Sequence, residues 1–310
     1  MRIVVAGSSG FLGSHLVAHL VAEGHSVTRL VRHESRGDAH PSAPRVKSTA
    51  VTWDPYAAHL DQSVIDGADV VVNLAGAPLI GNPHSKKWAA ALVNSRVTTT
   101  RFLADRIAAS HTSGAGSPAY LAGNGISVYG DRGDEPVDEA HEADGTTLLA
   151  GVTRLWEDAA APAAAAGARV AVLRTAPVIS SHAAPLKPML LPFRLGLGAR
   201  LGTGSQFFPL ISLRDWLGGV AHLAAHPDAS GPFNLCCPDT PTNAEFTYAL
   251  SAALGRNARL SVPRVVIERA AGPMAPEVLG SLRAEPRALM ESGYDFADRD
   301  VRDVIAAALG

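Results

Sequence analysis

The chain has 310 residues, of which 47% are hydrophobic, and its formal net charge is −2 at pH 7. This length and composition predict one large α/β domain or one domain with a smaller lobe, and they exclude a wholly disordered chain. The near-neutral charge gives no indication of nucleic-acid or anionic-membrane binding, and no apolar run approaches the ~20 residues of a membrane span. The N-terminal "MRIVVAGSSG" lacks the pattern of a secretory signal.

The sequence alternates apolar runs with segments of helical periodicity, a pattern typical of a parallel sheet covered by helices. Strands are predicted at 2–6, 26–31, 69–75, 119–124, 169–175 and 233–237, and helices at 14–23, 85–110 and 146–167. Polar, turn-forming sequence predicts loops at 33–48 and 130–145. We therefore expect an α/β fold with a doubly wound parallel sheet.

Prolines become frequent after about residue 180, and the strict alternation of strand and helix stops there. We expect a dinucleotide-binding domain at 1–180, its sheet completed by about 213–237, and a smaller C-terminal substrate lobe at 181–310. The adjacent Cys236 and Cys237 fall in a predicted strand. Because a disulfide between neighbouring cysteines is strained, a reducing, cytoplasmic location fits best.

The segment "VVAGSSGFLGSHL" has the glycine spacing G-x-x-G-x-x-G between the first strand and the first helix. In this position Gly7 permits a tight turn, Gly10 lets the backbone approach a pyrophosphate, and Gly13 allows close packing of helix on strand. The helix N-terminus then presents N–H groups and a partial positive charge to phosphates. A tight turn without a ligand is the alternative, but the context at the start of a βαβ unit favours nucleotide binding.

The end of the second strand indicates which nucleotide is bound. An NAD site places an acidic residue there for the ribose hydroxyls, whereas this chain has Val31 followed by Arg32. A guanidinium suits a 2′-phosphate in charge and geometry, so the sequence predicts NADP(H), although Arg32 could also be a solvated surface residue.

Several motifs together resemble the extended short-chain dehydrogenase/reductases, and in particular an atypical branch of epimerase-family proteins sometimes labelled cell-division-inhibitor-like. These motifs are the glycine loop, "WDP" (53–55), "NLAGAPL" (73–79), "NSRVTTTRFLA" (94–104), "SVYG" (127–130), "LWE" (155–157), "MLLPFRLGLGARLGTGSQFFPLI" (189–211) and "TNAEF" (242–246). The resemblance covers nearly the whole chain. It implies a Rossmann core that binds NADP(H) and a C-terminal lobe that closes over a small-molecule substrate.

The resemblance also implies which residues contact the cofactor. They are Gly7, Ser9, Gly10, Phe11, Leu12 and Gly13 of the glycine loop, Arg32, Leu74, Ala75 and Gly76 beside the adenosine, Arg96 reaching in from its helix, and Val178 near the nicotinamide. Small residues after a strand would let the backbone approach a flat ring. From its helical position alone, Arg96 could equally lie on the surface. The family pattern has an aromatic residue and a histidine where this chain has Leu210 and Ser212, and Asp215 follows as in that pattern.

The usual catalytic set of this family is missing from the sequence. Ordinary members use a Ser or Thr, four residues before the tyrosine of "VYG", to polarise the substrate and a Tyr-x-x-x-Lys pair to transfer the proton. Here Gly125 stands at the first position, and the register of "LWE" puts Leu149 and Thr153 at the tyrosine and lysine positions. None of the three can exchange a proton at neutral pH. The apolar periodicity of 148–159 predicts instead a buried core helix.

The sequence contains other groups that could donate the proton. Tyr129 is the preferred candidate because it follows a central strand, although it could simply pack there, as could Ser127. Asp215, His182 and Lys187 are better explained structurally. The acidic segment 131–144 predicts a solvated loop, and the histidine pairs in "HLVAH" and "HLAAH" lack a third ligand for a metal. The aromatic "FFP" (207–209) and "PFRLGLG" (192–198) are equally compatible with a substrate pocket and with ordinary packing.

These observations leave two functions open. The first is an NADP(H)-dependent oxidoreductase or epimerase-like enzyme for an unidentified small molecule, acting as a monomer or homodimer without nucleic-acid or membrane partners. The second is a non-enzymatic NADP(H)-binding regulator, which the loss of the catalytic set favours. An ordinary nucleotide-sugar epimerase is disfavoured for the same reason.

Overall fold

The structure is a computed structural model and describes residues 1–32, 39–79 and 81–310. Its strands are β1 Arg2–Ala6, β2 Ser26–Val31, β3 Thr49–Thr52, β4 Val70–Asn73, β5 Ala119–Gly125, β6 Pro136–Val137, β7 Val170–Thr175, β8 Val178–Ile179, β9 Ala199–Leu201, β10 Ile211–Ser212, β11 Gly231–Leu235, β12 Leu260–Val262 and β13 Arg283–Ala284. Its helices are α1 Phe11–Ala22, α2 Gln62–Asp66, α3 Lys86–Ser113, α4 Leu148–Asp158, α5 Ala161–Ala165, α6 Leu186–Arg194, α7 Leu213–Ala225, α8 Asn243–Ala253, α9 Arg264–Ala271, α10 Ala275–Leu279, α11 Arg287–Glu291 and α12 Val301–Leu309.

Seven strands form the main sheet in the order β11-β7-β5-β4-β1-β2-β3. The pairs β1/β2, β1/β4, β2/β3 and β4/β5 are parallel, and the registers of β1 place Val5 beside Arg29 on one side and Val72 on the other. The strand order reverses at β1, which makes the gap between β1 and β4 a topological switch point. The predicted doubly wound α/β fold is confirmed.

The chain divides into two compact units. The first comprises residues 1–124, 154–173 and 220–231, and the second comprises 125–153, 174–219 and 232–310. In the first unit, Val4, Leu30, Trp53, Leu103 and Tyr120 belong to one buried cluster. In the second unit, one buried cluster contains Leu186, Phe193, Phe246 and Ile305. Another contains Val128, Tyr129, Val137 and Cys236.

The predicted elements agree with these bounds in most places. The six predicted strands exist, but the last one ends at Leu235, before the two buried free cysteines, and β3 was not predicted. The helix predicted at 146–167 is two helices, α4 and α5. Of the loop predicted at 33–48, residues 33–38 lie outside the described residues, and 39–48 form no helix or strand.

Two further predictions are wrong in part. The helix α4 is not fully buried, because Leu155 is 50% exposed and only Ala150, Val152 and Thr153 are buried. The acidic segment 131–144 is not simply solvated, because it contains β6, which pairs in parallel with β13. Its Asp138 is buried, and the carboxylate of Glu139 accepts the backbone N–H of Asn234 at 2.8 Å. Within the described helices, none combines the length and apolar character of a membrane span.

Candidate functional site

The glycine loop closes tightly against the backbone that follows β4. Gly7 has φ +78°, and a Cβ at this residue would lie 2.5 Å from the carbonyl carbon of Leu74. A Cβ on Gly13 would lie 2.2 Å from the carbonyl oxygen of Gly7. Gly10 differs, because the nearest atom to its Cβ would be 3.4 Å away, an ordinary contact. Gly7 and Gly13 are therefore required by the fold itself, whereas the fold tolerates a side chain at Gly10.

The N-terminus of α1 is open to an anion. Gly10 is its N-cap, no side chain among the described residues caps it, and its first turn contains no acidic residue. The amide of Gly10 donates to the carbonyl of Gly7 at 3.1 Å, while the positive end of the helix is not neutralised locally. The buried hydroxyl of Ser8 has no hydrogen-bond partner among the described residues. These features suit the pyrophosphate of a dinucleotide.

The side chain of Arg96 is buried beside the segment that follows β4. Arg96 is 7% exposed, and a Cβ on Gly76 would lie 3.3 Å from its side chain. Its Nη1 donates to the carbonyl of Leu92 at 3.2 Å, and its Cζ lies 5.0 Å from the ring centroid of Trp156. No carboxylate pairs with it in the described part of the chain. Burial lowers the pKa of Arg96 to about 10, so this guanidinium is a desolvated cation that a bound anion would stabilise.

A buried polar network holds these residues in place. Thr100 Oγ1 accepts from Trp156 Nε1 at 2.8 Å and from Asn73 Nδ2 at 2.9 Å. The side-chain oxygen Asn73 Oδ1 in turn accepts the backbone N–H of Ala75 at 3.0 Å. The hydroxyl of Tyr120 donates to the Thr100 carbonyl oxygen at 3.2 Å, and burial raises the pKa of that phenol. The network therefore connects the backbone after β4 to the ring under Arg96.

The other predicted cofactor residues lie in different surroundings. Arg32 is exposed directly after β2, and Val31 at the position of the usual acid is buried. Phe11 is partly buried, and its ring lies 4.6 Å from that of His15 and 5.3 Å from that of His40. Ser9 is exposed, and Leu12, Leu74 and Ala75 are partly buried. Val178 belongs to the second unit, where it is buried on β8 opposite Ile211.

In the second unit, the three positions of the missing catalytic set are close together. A Cβ on Gly125 would lie 3.1 Å from the methyl group of Thr153. The hydroxyl of Thr153 donates to the carbonyl oxygens of Leu149 at 2.9 Å and Ala150 at 3.0 Å. The three positions that the family motifs assign to catalysis are therefore neighbours in the structure. However, the Thr153 hydroxyl bonds to its own helix and supplies no titratable group.

Tyr129, the preferred proton donor in the sequence, is 1% exposed and packed in a core cluster. Its hydroxyl donates to Asn234 Oδ1 at 3.0 Å and accepts from Arg174 Nη1 at 2.7 Å. Burial raises the pKa of Tyr129 to about 12, while the adjacent charge of Arg174 acts in the opposite direction. These contacts describe a structural tyrosine whose proton is already engaged.

The remaining candidates are also explained structurally. The carboxylate of Asp215 is buried and accepts from Tyr294 Oη at 3.0 Å and from the backbone N–H of Ala297 at 2.9 Å and Asp298 at 2.8 Å. His182 and Lys187 are exposed. Within the described ranges, no group of three His, Cys, Asp or Glu side chains could hold a metal ion.

The second unit also has a groove of about 800 Å³, whose walls include Thr203, Gln206, Phe207, Ser261 and Ser281. The aromatic residues of these segments are divided between this groove and the core. Phe207 lines the groove, whereas Phe208 packs against Phe246 with ring centroids 5.3 Å apart and Phe193 is buried in the core.

Sequence reasoning missed three polar groups. Ser8 lies between the glycines and gave no signal beyond its position, while Glu139 fell in an acidic segment that predicted a solvated loop. Glu277 lies in the proline-rich C-terminal part, yet its carboxylate accepts the backbone N–H of Leu149 at 2.7 Å. A contact between residues so far apart in the chain leaves no local pattern.

The strand order and the glycine-lined anion site at its switch point define a doubly wound dinucleotide-binding protein. Residues 3–236 match the NAD dependent epimerase/dehydratase family, and residues 262–308 match DUF1731, a domain of unknown function. The chain therefore belongs to the NAD dependent epimerase/dehydratase family, which confirms the resemblance to extended short-chain dehydrogenase/reductases.

Its relatives extend over nearly the whole chain. The epimerase family protein MT2273 of Mycobacterium tuberculosis is 36% identical over 307 residues, covering 99% of this chain and 97% of that protein. The epimerase family protein SDR39U1 of Homo sapiens is 32% identical over 302 residues, covering 96% of each.

Two solved structures are similar as well. The crystal structure of human SDR39U1 (isoform 2) with NADPH has a TM-score of 0.83 at 28% identity and covers 99% of both chains. The nucleoside-diphosphate sugar epimerase from Corynebacterium glutamicum has a TM-score of 0.75 at 32% identity, and the match covers all of this chain and 58% of that one.

Proposed function

We propose that this protein binds NADP(H) and transfers a hydride between that cofactor and an unidentified small molecule, as an oxidoreductase or epimerase-like enzyme. The observation that carries the proposal is the buried Arg96, which has no carboxylate partner among the described residues and lies against Gly76. The guanidinium of Arg96 is shielded from water, and a bound phosphate would stabilise its charge. The NADPH in the crystal structure of human SDR39U1 supports the choice of cofactor.

The remaining assignments follow from the same site. The glycine loop, with Ser9, Phe11 and Leu12, would hold the pyrophosphate at the N-terminus of α1. Arg32 would bind the 2′-phosphate, because it is a guanidinium exposed directly after β2, where no acid is present. Leu74, Ala75 and Gly76 would lie along the adenosine, and Val178 near the nicotinamide. Bound NADP(H) would supply the hydride chemistry. Residues 181–310 would supply most of the substrate contacts.

A calorimetric titration tests the cofactor claim. We expect NADPH to bind at least about tenfold more tightly than NADH, and Arg96→Gln to weaken NADPH binding by about tenfold to hundredfold, the loss of one charge-assisted contact. Arg101→Gln is the matched control, because Arg101 lies on the same helix but is exposed and paired with Asp105. Absence of NADPH binding, or a tenfold preference for NADH, would overturn the claim.

A second function, a non-enzymatic NADP(H)-binding regulator, is favoured by the packing at the missing catalytic set. A Cβ on Gly125 would contact the methyl group of Thr153, and the Thr153 hydroxyl donates to the Leu149 carbonyl oxygen of its own helix. Screening carbonyl compounds and sugar nucleotides anaerobically, while following the NADPH absorbance, separates the two functions. Turnover of any compound in the panel by the wild-type protein would identify an enzyme. Tight NADPH binding without turnover across the panel would identify a regulator.

A further inference from the structure

Exposed apolar side chains are concentrated on and around the helix α9 in the second unit. Val265 and Val266 of this helix are 61% and 52% exposed, and Leu260 on the preceding strand β12 is 48% exposed. The helix α10, which packs against α9, adds the exposed Val278. Single exposed apolar residues are ordinary, but a group of them on neighbouring elements marks a surface for interaction.

This surface borders the groove of about 800 Å³, which is lined by two opposite charges. They are the guanidinium of Arg264, at the start of α9, and the carboxylate of Asp134, in the acidic segment 131–144. A smaller groove of about 300 Å³ shares Arg264 with the first one and is lined by Asp131 and Glu268 as well. All of these residues are exposed and belong to the second unit.

The two charges of the larger groove do not pair with each other. Arg264 Nε donates to Glu268 Oε1 at 2.7 Å within its own helix. In the part of the chain that the structure describes, Asp134 takes part in no ion pair or hydrogen bond. The groove therefore offers a carboxylate and the outer N–H groups of a guanidinium to an occupant that presents the opposite charges in return.

The charge pattern of the sequence makes this surface complementary to itself. Residues 256–269 contain four arginines and one glutamate, whereas residues 131–135 contain three acids and one arginine. A basic and an acidic segment thus reach the same groove. A two-fold axis places each segment of one copy opposite the other segment of a second copy, which is the condition for an isologous contact.

We propose that this surface joins two copies of the chain in a two-fold symmetric dimer. Arg264 of each copy pairs with Asp134 of the other, and Val265 and Val266 are covered at the contact. A small zwitterionic ligand in the groove would also meet both charges, but it would leave the two valines exposed. A second copy accounts for the charges and for the apolar residues together. This inference goes beyond the proposed function and does not depend on the cofactor.

Sedimentation velocity on the wild-type protein and on charge-reversal variants tests the dimer and its symmetry. We expect the wild type to be a dimer at about 100 μM. Arg264→Asp and Asp134→Arg each turn both symmetric contacts into like-charge contacts, so each variant alone should dimerise at least about tenfold more weakly. In an equimolar mixture, one variant supplies two acidic groups and the other two basic groups. The mixture should therefore form heterodimers with an affinity within about threefold of the wild type.

Two further variants control for other effects. Arg302→Asp reverses an exposed charge on α12 of the same unit and should leave the association unchanged. Replacing both Val265 and Val266 with serine changes no charge and should weaken the association by about tenfold. All of the substituted side chains are exposed, and thermal unfolding shows that each variant is folded.

Three outcomes would each overturn the proposal. The first is a wild-type protein that stays monomeric at about 100 μM, which would assign the groove to a small ligand or to a different protein. The second is a wild-type dimer whose association the charge reversals do not weaken, because the contact would then lie on another surface. The third is a mixture of Arg264→Asp and Asp134→Arg that associates no better than either variant alone, because the two residues would then not pair across a two-fold axis.

Discussion

The guanidinium of Arg96 stacks on the indole ring of Trp156, with Cζ 5.0 Å from the ring centroid. The indole N–H donates to Thr100 Oγ1 at 2.8 Å, so the ring is fixed in orientation by the same threonine that bonds to Asn73. The tryptophan of the family motif "LWE" thus positions the cation proposed to bind the cofactor phosphates. It acts on the site through Arg96.

Two substitutions at Trp156 separate the ring from its hydrogen bond. Trp156→Phe keeps an aromatic face and should lower the free energy of unfolding by about 1 kcal/mol, while NADPH affinity changes less than about threefold. Trp156→Leu also removes the aromatic ring, which should lower the free energy of unfolding further, by about 0.5–2 kcal/mol. It should weaken NADPH binding by about tenfold. Urea unfolding and calorimetric titration measure the two effects. Equal NADPH affinity in both variants would show that the ring does not position Arg96.

The glycines of the loop should respond differently to alanine. Gly13→Ala places a Cβ 2.2 Å from the Gly7 carbonyl oxygen and should cost about 1–3 kcal/mol or more of stability. Gly10→Ala meets only an ordinary contact at 3.4 Å, so the protein should fold normally but bind NADPH at least about tenfold more weakly. Gly151→Ala is the control. Apart from its chain neighbours and its own helix backbone, no atom of the described residues lies within 4 Å of a Cβ at this position, and a helical alanine should stabilise by about 0.5–1 kcal/mol. Normal NADPH binding by Gly10→Ala would contradict the pyrophosphate assignment.

Arg32 should decide between NADPH and NADH. Arg32→Asp replaces the cation with the acid typical of NAD sites, so NADPH affinity should fall by about tenfold or more and NADH affinity should be unchanged or improved. Arg45→Asp, an exposed arginine of the same unit, introduces the same charge change as a control. Parallel titrations with both nucleotides measure the preference. A uniform loss of affinity for both nucleotides would indicate a general electrostatic effect.

The sheet and the glycine loop could be predicted from the sequence because their signals are local. Buried strands such as β4 are continuous apolar runs, and Gly7, Gly10 and Gly13 lie close together in the sequence, between β1 and the start of α1. By contrast β3, "TAVT", is an edge strand whose residues are mostly exposed, so it has no apolar run to detect.

The parts that escaped prediction depend on contacts between distant segments. Helical periodicity could not decide whether Arg96 was buried, because that depends on Gly76 and Trp156, which come from other segments. The same limit explains Leu155: its spacing is that of a buried face, but its side chain is 50% exposed in the folded chain. For the same reason, the sequence did not predict the hydrogen bond between Glu277 and the backbone N–H of Leu149, because the two residues come together only in the folded chain.

The buried hydroxyl of Tyr129 makes a prediction about alkaline stability. Burial raises its pKa to about 12 from an ordinary value of about 10, so the folded protein keeps the phenol protonated while the unfolded chain ionises first. The stability that this group contributes is complete below about pH 10 and is lost as the pH rises towards about 12. Between about pH 9 and 11, the wild type should therefore lose about 1 kcal/mol more stability than Tyr129→Phe.

Urea unfolding at both pH values checks this prediction. Tyr120 and Tyr294, whose pKa values burial also raises, are present in both proteins, so their contributions cancel in the comparison. At neutral pH, Tyr129→Phe should itself cost about 1–3 kcal/mol, because Arg174 and Asn234 each lose a buried partner. Identical pH dependence of the two proteins would mean that the hydroxyl of Tyr129 is accessible to solvent, and its role as an acid would then regain support over packing.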